Sequence, residues 1–223
     1  MNLQAAEHMV VVDDHPLFRE ALAGTLRRLH PHCRVSETAS FEQLQELLEA
    51  DSAIDLVLLD LHLPGRHGLS ALAWLRGRYP EIPVLLISAH DDTRIIQRAL
   101  ADGAAGFLSK SADSETIDQA IGRVLDGDTW VPAGLEPRER DPGELELVQR
   151  IGALTPQQYR ILMMLGEGLL NKQIAWELDI TEATVKAHMT AIMRKLDVSN
   201  RTQAVTLLNR LQVSPKDFEQ DSP

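Results

Sequence analysis

Five short strand-like runs recur through the first 130 residues, and each is followed by apolar residues at helical spacing. Four are largely apolar, Met9–Asp13 (MVVVD), Ile54–Asp60 (IDLVLLD), Ile82–Ser88 (IPVLLIS) and Ala105–Ser109 (AGFLS), and Arg34–Glu37 is a weaker one. Most are continuously apolar rather than alternating, as strands buried on both faces are. Between them lie stripes at Phe18, Leu22 and Leu26, at Phe41, Leu44, Leu47 and Leu48, and at Leu69, Leu72 and Leu75. Arg94–Ala101 and Glu115–Leu125 complete the set of helical patterns. Repeated strand–helix units of this kind imply a doubly wound α/β fold, a five-stranded parallel sheet with helices on both faces. Ligand sites in such sheets lie at the carboxyl ends of the strands.

Between Trp130 and Gly152 the pattern breaks. Pro132, Pro137 and Pro142, with Gly134 and Gly143, punctuate a charged stretch that reads as a linker, with a short helix from Glu144 to Arg150. A flexible chain of that size spans ~25 Å, so the flanking domains can touch or separate. From Leu154 onward the pattern is wholly helical. Thr155 is the N-cap of a first helix, with Pro156 at its first position and Gln158 completing a capping box. Gly166 and Gly168 end that helix, and Asn171–Leu178 forms a second. Asp179, Ile180 and Thr181 make a tight turn in which Thr181 caps a third helix, Glu182–Leu196, and Arg201–Leu211 forms a fourth. The expected organisation is an α/β domain over 8–130, a linker over 131–153, a small all-α four-helix domain over 154–211 and a polar tail over 212–223.

Composition narrows the class. The net charge is −11, yet it is unevenly spread: −9 in residues 1–130, −2 in 131–153, +2 in 154–211 and −2 in the tail. Such asymmetry suggests two domains with different partners. The single cysteine, Cys33, rules out an internal disulfide framework and a cysteine-rich zinc site. No apolar run approaches the ~18 residues that span a bilayer, and Met1–His8 lacks the pattern of a secretory signal. A cytoplasmic protein with no membrane partner is expected.

Asp13 and Asp14 end the first strand and Asp60 ends the third, so three carboxylates converge in the sheet. Their repulsion is relieved either by a proton or by a hard cation. Oxygen ligands in an open, hydrated site suit Mg²⁺. Ser88 and Lys110 stand at other strand ends. Any one of these residues alone is an ordinary loop cap. Together, a nucleophilic carboxylate, a cation, a hydroxyl and an ammonium can handle a phosphoryl group, with Asp60 forming an aspartyl phosphate.

The segments VVVDDHPLFREAL (10–22), LLDLHLPGRHG (58–68), LLISAH (85–90) and GFLSK (106–110) resemble the receiver domain of bacterial response regulators. The resemblance implies that Asp60 accepts phosphate from a sensor histidine kinase. It implies Mg²⁺ held directly by Asp14, Asp60 and the backbone carbonyl of His62, with Asp13 acting through water. Ser88 and Phe107 would form the switch pair, and His62 and His90 would tune dephosphorylation. Ser111 departs from the pattern, because many receivers have proline after the lysine.

In the basic segment, Lys172, Lys186, Arg194, Lys195 and Arg201 surround a helix–turn–helix pattern. On Glu182–Leu196 the inward stripe is Val185, Met189, Ile192 and Leu196, and the opposite face carries Lys186, Ala187, Thr190, Ala191 and Arg194. Small and polar residues there leave room for base edges in a major groove. Lys186, Ala187 and Thr190 suit bases, while Lys172, His188, Lys195 and Arg201 suit phosphates. Thr181 and Thr184 at the start of the same helix, and Arg194 near its end, are further candidate DNA contacts. An ordinary solvated charged face is the alternative.

LTPQQYRIL (154–162), NKQIAWELDITEATVKAHMTAIMRKLDV (171–198) and NRTQAV (200–205) are similar to the output domain of the NarL/FixJ and LuxR type. Gln158 replaces the usual glutamate, and Leu170 stands where serine is common. The combined resemblance implies a transcription factor switched by phosphorylation. It implies promoter DNA and RNA polymerase as partners, and a homodimer when active. The fourth helix, with Val205, Leu208 and Leu211, is the expected dimer contact, with ordinary core packing as the alternative for Val205. It implies no enzyme beyond self-phosphorylation from a phosphohistidine donor and slow autodephosphorylation. Two other classes compete: a Mg²⁺-dependent phosphohydrolase, for which the sequence offers no cap domain, and a regulator that works without phosphate, against which the full set Asp13, Asp14, Asp60, Ser88 and Lys110 argues.

Overall fold

Alternate residues of the central strands enter two separate cores. Val10, Val12, Val57, Leu59, Val84 and Leu86 fill one face of the sheet, and Met9, Val11, Leu56, Leu58, Leu85 and Ile87 fill the other. This two-residue period needs strands that are apolar throughout, as the sequence has them. The computed structural model describes residues 6–50, 53–63, 68–90, 92–132, 135 and 142–211. The tail 212–223 and most of the proline-punctuated stretch 133–141 lie outside the described residues.

The strands are β1 (His8–Val12), β2 (Arg34–Thr38), β3 (Leu56–Asp60), β4 (Val84–Ser88) and β5 (Gly106–Ser109). All pair in parallel in the order β2-β1-β3-β4-β5. The order reverses beside β1, which places the ends of β1 and β3 side by side at a topological switch point. β1 stops at Val12, and the Asp13 amide continues the ladder to the Thr38 carbonyl at 3.1 Å.

Five helices cover the sheet: α1 (Pro16–Leu29), α2 (Phe41–Ala50), α3 (Gly68–Arg78), α4 (Thr93–Ala101) and α5 (Ser114–Leu125). The C-terminal part comprises α6 (Pro142–Gly152), α7 (Pro156–Gly166), α8 (Asn171–Glu177), α9 (Glu182–Leu196) and α10 (Arg201–Leu211). The expected capping box at α7 is formed, since Thr155 Oγ1 accepts from the Gln158 amide and Gln158 Oε1 accepts from the Thr155 amide.

The helix in the linker is longer than Glu144–Arg150, and it is packed. α6 lies along α3, where Gly152 and Gly77 bring the two backbones into contact. Trp74 Nε1 donates to the Leu154 carbonyl at 3.2 Å, and the Tyr159 hydroxyl donates to Ser70 Oγ at 3.3 Å. The rings of Phe41, Trp74 and Tyr159 lie 5.4–5.8 Å apart in a single cluster. α3 is therefore buried on every side from Gly68 to Leu75, not on the Leu69–Leu72–Leu75 stripe alone. One apolar core runs from the sheet through α3 into the helical domain. No helix among the described residues is long and apolar enough to cross a membrane.

Candidate functional site

The sheet order gathers the strand-end residues at one edge. Asp13, Asp60 and Ser88 are buried, and Asp14 is half-buried. Lys110, just past β5, reaches across with Nζ 2.7 Å from Asp13 Oδ2 and 2.9 Å from Asp60 Oδ2. Its ammonium also stands 4.7 Å from the centroid of the Phe18 ring. Asp60 Oδ1 accepts from the His62 amide at 3.1 Å. Ser88 Oγ accepts from the His90 amide at 3.0 Å. Both loops that follow the strands are thus folded back onto the site by short side-chain-to-backbone turns.

Electrostatics follow from this packing. Burial pushes the Asp60 carboxyl above its usual range, against the opposing effects of Lys110 and the His62 amide. Burial works to lower the pKa of Lys110, but its contacts with Asp13 and Asp60 overcome it, so the ammonium is held above its ordinary value. Burial lowers the pKa of His62, with the Asp60 charge opposing. Asp60 is thus a shielded carboxylate held beside a fixed cation, which suits attack on an electrophilic phosphorus.

The donor set fits a hard divalent cation. Ligand atoms from Asp13, Asp14, His15 and Asp60 all lie within 4.8 Å of one another. Two ligands opposite each other on Mg²⁺ stand about 4.2 Å apart, so a small contraction would let one ion reach them. Asp14 Oδ1 is buried and accepts no well-formed hydrogen bond. The close neighbour of this buried anionic oxygen is His15 Nδ1 at 3.0 Å, and a bound cation would satisfy it further.

Phe107 is buried in β5, in the core shared with α3 and α4, and its amide donates to the Trp130 carbonyl at 3.1 Å. At Ser111 the backbone closes a serine turn instead. The Ser111 amide donates to Ser109 Oγ at 3.3 Å, and the two hydroxyls are 2.8 Å apart. His62 and His90 come together over the site, with ring centroids 5.3 Å apart. They line a cavity of about 630 Å³ with His15, Leu17, Phe18, Asp60 and Lys110. His15 is a site residue that the sequence pattern does not single out. Its adjacency to Asp13 and Asp14 was the available signal, but adjacency along the chain does not tell which way a ring turns.

In the helical domain, the structure divides the basic residues into two groups. Lys172, Lys186, Ala187, Thr190 and Arg194 are exposed, and His188 is half-buried. Val185, Met189, Ile192 and Leu196 face the core. Thr181 caps α9 by accepting from the Thr184 amide at 3.1 Å, and their hydroxyls lie 2.9 Å apart. Thr190 Oγ1 donates back to the Lys186 carbonyl at 3.1 Å. Lys195 instead turns inward, with Nζ 2.7 Å from both the Ala153 carbonyl and Gln158 Oε1. Arg201 donates to the Leu169 carbonyl at 2.7 Å. Arg150 of α6 donates to the Leu196 carbonyl at 2.9 Å and so covers the carboxyl end of α9. On α10, Leu208 is buried and Val205 is half-buried, while the side chain of Leu211 lies outside the described residues.

Residues 9–122 match the response regulator receiver domain, and residues 152–208 match the bacterial regulatory proteins of the luxR family. The glycerol metabolism activator of Pseudomonas putida is 39% identical, over 88% of this chain and 92% of its own length. The nitrate/nitrite response regulator protein NarL of Escherichia coli K12 is 29% identical, over 96% of this chain and all of its own. The RcsB response regulator of Salmonella typhimurium shares the fold, with a TM-score of 0.54 at 18% identity, covering 93% of this chain and all of that one.

Proposed function

Since the chain belongs to the bacterial response regulators that join a receiver domain to a luxR-type DNA-binding domain, we propose that phosphorylation of Asp60 by a sensor histidine kinase controls its binding to promoter DNA. The observation that carries this reading is Lys110 Nζ, held between two buried carboxylates at 2.7 and 2.9 Å. A carboxylate oxygen of Asp60 attacks the phosphorus of a phosphohistidine. A P–O bond forms, the P–N bond breaks, and the imidazole leaves with a proton. Lys110 then moves from carboxylate to phosphoryl oxygens, and Ser88 donates to another. Asp13, Asp14, Asp60 and the His62 carbonyl would hold Mg²⁺, which would supply further charge neutralisation when bound.

No turnover of external substrate follows from this site. The chain takes up its own phosphoryl group and slowly loses it to water. The acyl phosphate draws Ser88 inward, Phe107 follows, and the packing around β4 and β5 changes. Moving an equilibrium from 1:99 to 99:1 takes about 5.5 kcal/mol. Several charge-assisted hydrogen bonds at ~1.5–3 kcal/mol each supply that.

The exposed face of α9 reads bases through Lys186, Ala187 and Thr190, with Lys172, His188 and Arg194 placed for phosphates. The active species is a cytoplasmic homodimer acting on RNA polymerase at promoters. One reading helix covers too few base pairs for a genome, and two-fold pairing doubles them. The test is labelling of the full chain with acetyl phosphate. It should yield one hydroxylamine-labile phosphate in the presence of Mg²⁺, and none in Asp60→Asn. Equal labelling of the variant overturns the assignment.

A further inference from the structure

His15 is the N-cap of α1, yet its side chain makes no capping hydrogen bond. Its ring is turned to the carboxylates instead. Nδ1 lies 3.1 Å from Asp13 Oδ1, 3.0 Å from Asp14 Oδ1 and 3.8 Å from Asp60 Oδ2. The placement is fixed from two sides. The His15 amide donates to Asp13 Oδ1 at 2.8 Å, which ties the backbone to the cluster. Lys110 holds Asp13 and Asp60 through their Oδ2 atoms, which leaves Asp13 Oδ1 directed to His15. The Asp14 oxygen nearest the ring is the buried one without a well-formed hydrogen bond.

We propose that His15 makes this cluster a site for an imidazole-accepting divalent ion such as Zn²⁺, which competes with Mg²⁺ for the same carboxylates. The inference rests on the carboxylate cluster being the cation site described above, and it adds a nitrogen ligand to it. Carboxylate oxygens and water suit Mg²⁺, whereas imidazole suits Zn²⁺ and its neighbours in the transition series. Zn²⁺ binds imidazole nitrogen at about 2.0–2.1 Å and carboxylate oxygen at about 2.0–2.2 Å. The four donor atoms lie within 4.8 Å of one another, so one ion can meet them after small adjustments. The ring is 62% exposed, so coordination does not require it to leave the core.

A plain ion pair between His15 and the carboxylates makes a different prediction. Removing a counter-ion strengthens all divalent ions alike, whereas removing a ligand weakens the ion that used it. The full chain is loaded with Mn²⁺, and released Mn²⁺ is read by electron paramagnetic resonance as Zn²⁺ or Mg²⁺ is added. The advantage of Zn²⁺ over Mg²⁺ as a displacer should fall at least about tenfold in His15→Ala, the smaller end of what lost ligand support costs. Mg²⁺ should displace Mn²⁺ from the variant at least as well as from wild type, which also shows that the site is still folded. An unchanged Zn²⁺ advantage overturns the nitrogen ligand and leaves the Mg²⁺ reading intact. Failure of the wild type to hold Mn²⁺ at all overturns both.

Discussion

Gly152 of α6 meets Gly77 of α3 so closely that a Cβ on Gly152 would fall 2.1 Å from the Gly77 Cα. Two helices can approach this far only where neither carries a side chain, and the obstruction is backbone, which cannot rotate away. Gly152→Ala should therefore separate α6 from α3, since overpacking costs about 1–3 kcal/mol. The expected outcome is retained helix and sheet content, a larger radius of gyration, and red-shifted emission from Trp74, which is fully buried beside this contact. A variant with the scattering profile and emission of the wild type would show that the contact does not hold the domains together.

Asp60 gives a pH-dependent prediction. Its pKa is raised chiefly by burial. A carboxyl with a raised folded pKa stabilises the fold below the unfolded value of about 4, and that contribution is lost as pH rises through the folded value. At neutral pH the buried charge opposes folding. Asp60→Asn should melt at a higher temperature than wild type at pH 7 without divalent metal, and the gap should close as pH falls toward about 4. Lower melting of the variant at pH 7 would mean that Lys110 outweighs burial.

Lys195 and Lys186 stand on the same helix and should differ in kind. Lys195→Ala removes two hydrogen bonds of 2.7 Å and should destabilise the helical domain by about 1 kcal/mol, a partly exposed contact being screened. For a chain of this size that is about 2–4 °C in melting temperature. Lys186→Ala should leave melting unchanged and relax base preference in a binding-site selection. A melting loss confined to Lys186→Ala would reverse the two roles.

The sheet, the caps and the carboxylates were legible because each has a local signature. Continuous apolar runs mark β1, β3 and β4, Thr155 with Gln158 marks the start of α7, and the strand-end residues Asp13, Asp60, Ser88 and Lys110 follow from strand direction. The far side of α3 was not legible. Ser70, Ala71 and Trp74 are as compatible with a solvent-facing side as with a packed one, and only a partner from residues 142–163 decides. Lys195 is similar. A long flexible stem allows its ammonium to reach either a phosphate or the Ala153 carbonyl, and helical spacing does not distinguish them. His15 needed three dimensions, because its ring direction depends on the backbone turn after β1.

His62 and His90 should govern phosphate lifetime. Their rings, 5.3 Å apart, border the cavity over Asp60 from which water must attack. Replacing both with alanine should change the acyl-phosphate half-life several-fold. Burial keeps the His62 pKa below its usual value of about 6.5, so its contribution to pH dependence should appear on the acidic side of that value and be lost in the variant. Identical decay of wild type and double variant across pH 5–8 would remove both histidines from the hydrolytic path.

Control of DNA binding in the helical domain by phosphate on Asp60 would be visible as a change in affinity. Its most direct test is the affinity of the full chain for genomic fragments selected by the phosphorylated protein, measured at one fixed salt concentration with and without acetyl phosphate. The phosphorylated wild type should bind at least about tenfold more tightly, a difference of about 1.4 kcal/mol, and Asp60→Asn should not respond. Equal affinity of the phosphorylated and unphosphorylated wild type, or an equal response in Asp60→Asn, would contradict it.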